Sequence, residues 1–335
     1  MRERIAVFRA LNLGDMLCAV PALRALRRRF PDADIALVGL PWAEAFQRRY
    51  ARYLDRFFPF PGYPGLPEAA PGPGEPEGFL ARMRAQRFDL CLQMHGCGPA
   101  SNTVVGRMGA CATLGLGVCE GDPHVQVWPY PHGKHEVQRN LYLLQQGLGL
   151  SAADDRLEFP LMEQDWAELD ARPELGDCRT APYACLHPGA RDPAKRWAPR
   201  DFAAVGDALA ARGLRVVLTG SASERPIALE VARHMRSRAW NAACDISVGG
   251  LAALIADARL LVSNDTGAAH LASALGVPSV VVFFATDPVR WGPPAYGPHR
   301  VAGGSDKPTV GRVMEQAEAL LEMAPALRRT ETAQA

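Results

Sequence analysis

The chain has 335 residues, 48% of them hydrophobic and 22% charged, with a formal net charge of +1. That is a globular composition, long enough for two domains. It excludes a sustained basic stripe for nucleic acid and a transmembrane helix, since no apolar run nears the ~20 residues a span needs.

The charge is uneven. Residues 1–150 carry 17 Lys and Arg against 13 Asp and Glu, and residues 151–335 carry 20 against 23. The basic front half faces an acidic partner or an anionic membrane surface, or simply places arginines on solvated helices.

In chain order, "MRERIAVFRA" reads as the start of a strand and not as a signal peptide, so a cytoplasmic protein is expected. A strand is expected at Ile5–Arg9, a loop at Ala10–Gly14 and helical sequence to Phe30. Pro21 should interrupt that helix, leaving a short turn and then a helix with Pro21 near its first position. "PDADIALVG" supplies a turn and a second strand. Residues 59–78 hold seven Pro and five Gly. No helix or strand is expected at that density, so the segment reads as a long mobile loop, either a lid or acceptor loop or a disordered insertion.

"RFDLCLQMHG" is a strand running into a polar loop at Met94–Ser101. "PYPHGK" breaks the pattern before a helix over Glu136–Leu148. A boundary near Pro160 divides the chain into domains 1–160 and 161–325, with a disordered tail at 326–335. The strand-and-helix alternation then restarts with "YACLHPGA", "PRDFAAVGDALAARG", "LRVVLTGSASE", "RPIALEVARHMRS", "LAALIADAR", "LLVSNDTG" and "VPSVVVFF". This is α/β grammar with parallel sheets, and ligands are expected at the carboxyl ends of the strands, in a cleft between the two domains. The cysteines (Cys18, Cys91, Cys97, Cys111, Cys119, Cys178, Cys185 and Cys244) form no C-x-x-C pair. They read as reduced, mostly buried thiols and not as a zinc site.

Four loops at the expected binding edge are polar or glycine-rich: "RALNLGD", "HPGARDPAKRW", "TGSASE" and "SNDTGAAH". Helix N-termini there offer unpaired amides and partial positive charge to an anion. In the last loop Gly267 allows close approach, and Asp265 or Thr266 caps the helix; capping and anion binding are compatible. His270, one turn inside, either touches a phosphate or is structural. Lys195 is a flexible point charge suited to a diphosphate, or a surface lysine. Glu224 holds both hydroxyls of a ribose, or is a helix N-terminal charge. Asp15 is a general base, or a helix N-cap.

Together these loops resemble glycosyltransferase family 9, the lipopolysaccharide heptosyltransferases. The matching pieces are "FRALNLGDMLCAVPALRALRRRFPDADIALVG", "HPGARDPAKRW", and "SNDTGAAHLASALGVPSVVVFF" with "TDPVRWGP". The family often has Leu-Phe-Gly after the last of these strands, where this chain has Phe283-Phe284-Ala285. The resemblance implies a GT-B fold, two Rossmann-like domains with an interdomain cleft, acceptor on the first and nucleotide sugar on the second. It implies an inverting, metal-independent transfer from ADP-heptose to a lipopolysaccharide-type acceptor, without a cofactor and with peripheral contact at the inner face of the inner membrane. Carried onto this sequence, Asp15 deprotonates the acceptor hydroxyl. Lys195 and the amides of Thr266 and Gly267 stabilise the departing diphosphate, Glu224 holds the ribose, Ser221 also binds the donor, and Asp265 and His270 shape the donor site. Arg9, Asn12 and His95 face the acceptor, with Arg9 toward the acceptor's acidic groups. A GT-B nucleotide-sugar epimerase and a non-catalytic nucleotide-sugar binder are the alternatives.

Overall fold

The computed structural model describes residues 2–117, 123–151 and 154–323. Cys119 and the tail at 326–335 lie outside them. The chain divides into two units, Met1–Arg156 and Leu157–Ala335.

The first unit runs β1 (Arg4–Phe8), α1 (Leu13–Arg29), β2 (Asp34–Gly39), α2 (Ala43–Arg49), β3 (Arg56–Pro59), α3 (Glu75–Gln86), β4 (Leu90–Gln93), α4 (Pro99–Arg107), β5 (Ala112–Gly117), β6 (Gln126–Pro129) and α5 (Glu136–Leu148). Its six strands lie in the order β3-β2-β1-β4-β5-β6, all parallel. The central strands are apolar along their length and buried, as a sheet covered on both faces requires.

The second unit continues with α6 (Glu163–Asp170), α7 (Pro173–Gly176), β7 (Tyr183–His187), α8 (Pro199–Ala211), β8 (Arg215–Gly220), α9 (Arg225–His234), β9 (Ala239–Ala243), α10 (Val248–Ala256), β10 (Leu260–Asn264), α11 (Gly267–Leu275), β11 (Ser279–Phe283), α12 (Pro288–Trp291), β12 (His299–Gly303) and α13 (Val310–Met323). The order is β12-β11-β10-β7-β8-β9, again all parallel. Each sheet therefore reverses its winding once, between β1 and β4 and between β7 and β10. Ligands of open α/β sheets bind at such switch points, beyond the carboxyl ends of the strands.

Three local expectations are corrected. Pro21 does not restart α1; the helix is continuous through it. Its ring removes one backbone hydrogen bond, but residues Met16–Leu26 of α1 are buried almost without break. Packing of that face, including against α5, outweighs the local penalty. The Pro/Gly-rich stretch is also no free loop from 59 to 78. β3 extends to Pro59 and α3 begins at Glu75, with Pro76 in its first turn. Between them Phe60 is buried, and Tyr63, Leu66 and Ala69 pack on the core of the first unit. The polar loop after β4 likewise ends sooner than expected, where α4 starts at Pro99.

Of the described cysteines, Cys18, Cys91, Cys178 and Cys185 are buried, Cys97 and Cys111 exposed and Cys244 half-buried, all as free thiols. No helix among the described residues is long and apolar enough to cross a membrane.

His299 opens β12, buried, with Nδ1 2.9 Å from Ser279 Oγ. Burial, reinforced by Arg300, pushes its imidazole from 6.5 down to about 4. The unfolded chain therefore takes up a proton that the fold refuses, and stability is lost as pH falls from 6.5 to 4, by up to about 3 kcal/mol for such a shift. Urea unfolding of His299→Asn at pH 7 and pH 4.5 should show a shallower loss than the parent; equal losses in both would disprove the assignment.

Candidate functional site

In the second unit the site is built at the β7–β10 switch point. Asn264, the last residue of β10, is fully buried and joins the two strand ends. Its Nδ2 donates to the Pro188 carbonyl at 2.9 Å, and its Oδ1 accepts from the Trp197 amide at 3.0 Å. Trp197 anchors the far end of the same loop, edge-on to Phe202 and donating through Nε1 to the Pro308 carbonyl. A short 3₁₀ turn over Pro193–Lys195, capped by Asp192, lies between these anchors. Lys195 Nζ is thereby aimed at the start of α11.

There Lys195 Nζ donates to Asp265 Oδ2 at 2.7 Å. Thr286 Oγ1 donates to the same oxygen at 2.7 Å. Asp265 is 5% exposed and Lys195 27%. The Asp265 carboxylate is thus committed to a lysine and a hydroxyl, and does not cap α11. Thr266 is the N-cap residue, yet its side chain makes no capping bond, and its Oγ1 is buried without a hydrogen-bond partner. The capping expectation for both residues is corrected: α11 begins with neither side chain on its amides. A helix start of this kind, with a cation and an unused buried hydroxyl beside it, is suited to a diphosphate. His270 is buried one turn further on, edge-on to Trp291 at 6.3 Å.

Beside this site Ser221 and Glu224 form a reciprocal pair. Glu224 Oε2 accepts from the Ser221 amide and from its hydroxyl, each at 2.8 Å. The carboxylate lies against Gly189, where any Cβ would overlap Glu224 Oε1. Burial works to raise the pKa of Glu224, but His187, the two bonds from Ser221 and Arg196 outweigh it and hold the acid below its ordinary range. Burial pushes the neighbouring His187 below the ordinary imidazole range. Its Nδ1 lies 3.0 Å from Thr219 Oγ1, whose hydroxyl donates to the Leu186 carbonyl. The two Ser221 bonds also hold the Glu224 carboxylate in place. Glu224 therefore has the helix-start role, at the turn that follows β8.

In the first unit Asp15 stands at the third position of α1, half-buried, and the N-cap is the exposed Asn12, so the N-cap reading of Asp15 is corrected. The turn that carries Asp15 is held from inside, because Arg9 Nε donates to the Asp15 carbonyl at 2.9 Å. The expectation that Arg9 faces an acidic acceptor is also corrected. Its guanidinium is 1% exposed and is spent on Glu136 Oε1 at 3.2 Å, Asn140 Oδ1 at 3.0 Å and the Met94 carbonyl. Removing one partner of such a buried pair strands the other charge. Arg9→Met should cost about 3–5 kcal/mol of stability in chemical denaturation; a loss below about 1 kcal/mol would show the pair to be dispensable.

His95 follows β4. Its Nδ1 accepts from the Ala10 amide at 3.0 Å and its ring stacks on Phe8 at 4.9 Å. Burial pushes its imidazole down to about 4, against the pull of Glu68. Glu136, Asn140, Asn264, His187, Thr219 and Thr286 were not anticipated as supports. A polar pair four residues apart on α5, Glu136 and Asn140, is the one local signal that marked any of them. Among the described residues no group of three or more His, Cys, Asp or Glu side chains is arranged to hold a metal ion.

The family described as glycosyltransferase family 9 (heptosyltransferase) matches residues 79–318. Lipopolysaccharide heptosyltransferase 1 of Pseudomonas aeruginosa is 30% identical over 320 residues, covering 91% of this chain and 84% of that relative. Lipopolysaccharide heptosyltransferase 3 of Escherichia coli is 27% identical over 301 residues, 84% of this chain and 82% of that relative. Among solved structures, a family 9 glycosyl transferase from Veillonella parvula shares the fold with a TM-score of 0.82 at 20% identity, over 96% of this chain and 98% of that one. The Escherichia coli ADP-heptose heptosyltransferase II does so at 0.74 and 22%, over 96% and 99%.

Proposed function

Because the chain belongs to glycosyltransferase family 9, the heptosyltransferase family, we propose that it is an inverting, metal-independent transferase with the GT-B fold that moves heptose from ADP-heptose to a lipopolysaccharide core or related cell-envelope acceptor. The observation that carries this is the Lys195–Asp265 pair at the uncapped start of α11.

In this reading the acceptor oxygen forms a bond to the anomeric carbon as the bond to the diphosphate oxygen breaks. Asp15 takes the hydroxyl proton, and the leaving ADP carries away the electron pair. Lys195, the amides of Thr266 and Gly267 and the Thr266 hydroxyl meet the charge that develops on it. Lys195 has three N–H donors, one of which is given to Asp265. Glu224, set by Ser221, holds the ribose, while Asp265 and His270 shape the pocket. Asn12 and His95 lie on the acceptor side. Arg9 acts by holding the turn of Asp15. An acceptor anchored in lipid brings the enzyme to the cytoplasmic face of the inner membrane as a peripheral protein, which the excess of Lys and Arg in residues 1–150 favours.

A solved UDP-GlcNAc 2-epimerase from Methanocaldococcus jannaschii shares the fold at a TM-score of 0.53 and 12% identity. That likeness is to the fold alone and does not favour epimerisation. Incubation with ADP-heptose and a lipopolysaccharide-core acceptor should give ADP and a heptosylated product in equal amounts. ADP should also stabilise the protein, by about 2.7 kcal/mol at a hundredfold excess over its dissociation constant. Stabilisation by UDP or GDP but not by ADP, with no product, would overturn the reading.

A further inference from the structure

The first sheet ends at β3, and a groove open to solvent runs between that edge strand and α3. Its volume is about 220 Å³, above the ~150 Å³ at which an apolar cavity holds benzene. Phe79 and Met83 line it from α3 and are buried; half-buried Phe58 and exposed Pro59 line it from β3. Arg56 fixes the spacing of the two walls. Its guanidinium carbon lies 5.3 Å from the Phe58 ring centre, and Nη1 donates to Gln86 Oε1 at 2.8 Å, tying the end of α3 to β3.

The rim is basic. Exposed Arg82 lines the groove, and among the described residues no acidic side chain does. Arg87, also exposed, follows Gln86 at the end of α3. Asp34 and Glu77 hold the neighbouring Arg56 and Arg107, but no carboxylate among the described residues holds Arg82 or Arg87. An apolar hollow beside two unneutralised cations matches an amphiphile with an anionic head. One buried chain alone binds a membrane only marginally, and a basic patch supplies the second signal. Another protein fits less well. β3 has four residues and ends in Pro59, which has no N–H to extend the sheet. The handful of lining residues is also far short of the about 20–30 a side that a stable interface uses.

We propose that this groove is the membrane contact of the protein. It takes one acyl chain of an anionic phospholipid of the bilayer, with Arg82 and Arg87 on the headgroup phosphate. This inference rests on the transferase reading above, in which the acceptor is anchored in lipid.

The test uses the full chain and vesicles of phosphatidylcholine, alone or mixed equally with phosphatidylglycerol. In flotation the parent should bind the mixed vesicles at least about tenfold more tightly. Arg82→Glu should weaken that binding by about tenfold or more. Ala85→Glu should do the same, because Ala85 is an exposed lining residue and the new carboxylate stands in the path of the acyl chain. Arg233→Glu, the same charge change on exposed α9, should cost less than about threefold, since salt screens distant charges. In calorimetry, dihexanoyl phosphatidylglycerol below its micelle concentration should bind at least about tenfold more tightly than glycerophosphoglycerol, which lacks the chains. Thermal midpoints, and heptosyl transfer to a water-soluble acceptor, should stay at the parent's values in all three variants. Equal binding to the two kinds of vesicle, equal effects of Arg233→Glu and Arg82→Glu, no effect of Ala85→Glu, or equal binding of the two small probes would each overturn the proposal. So would a dimer in lipid-free buffer that Ala85→Glu dissociates, because a second copy would then cover the groove. Vesicle binding as expected without transfer would sink the transferase reading alone, and transfer without vesicle binding would sink the groove alone.

Discussion

Asp15→Asn will lower kcat by about 10²- to 10⁴-fold, the usual contribution of a positioned general base, with ADP affinity unchanged. The amide keeps the size of the carboxylate but cannot take the acceptor proton. Its place in the first turn of α1 is retained, since Arg9 holds that turn by the backbone carbonyl and not by the side chain. Stability should change by less than about 1 kcal/mol, the scale of a helix-terminus charge. ADP is held by residues of the second unit alone in this assignment, so a thermal-shift titration with ADP should match the parent. Parallel loss of activity and ADP affinity would show that Asp15 supports the fold and is no base.

Lys195→Ala should lower kcat by about 10²- to 10³-fold, as removal of a preorganised partner of leaving-group charge does, and raise the KM for the donor. A second consequence follows from the pairing. Asp265 is 5% exposed and would keep only Thr286 on its Oδ2. The partly exposed lysine moderates the loss, which should reach about 1–3 kcal/mol in urea unfolding. Adding Asp265→Asn to Lys195→Ala separates the two effects. The double variant should recover most of the stability and none of the activity. Recovery of activity with stability would mean that Lys195 serves only to neutralise Asp265. Lys195→Arg should not substitute fully, because a planar fork does not reproduce the compact ammonium beside a carboxylate already engaged on one oxygen.

Much of this architecture was legible in the sequence. Apolar runs such as "IAVF" and "VVVFF", separated by glycine and polar turns, mark strands that are buried on both faces. The helix over Glu136–Leu148 was placed to the residue, because "PYPHGK" cannot extend it backwards and Gly149, at φ +67°, ends it. Local signals misled where tertiary contacts outweighed them. Pro21 forbids one hydrogen bond in α1, and burial of most of that helix overrides the loss. The proline density after β3 hid the start of α3, although proline is at home in a first helical turn.

The sequence alone determined the alternation of strand and helix wherever the apolar runs are strong, the polar loops that follow those strands and the family, because hydrophobic period and turn chemistry are local properties that neighbouring residues express without help. The tertiary structure alone decided how the site's charges are spent. Lys195 and Asp265 are 70 residues apart and Arg9 and Glu136 are 127 apart. Which acid neutralises which base depends on parallel pairing that brings distant strand ends together and shuts out water. That pairing buries Arg9, commits Asp265 away from the helix start it was expected to cap, and sets Glu68 against His95.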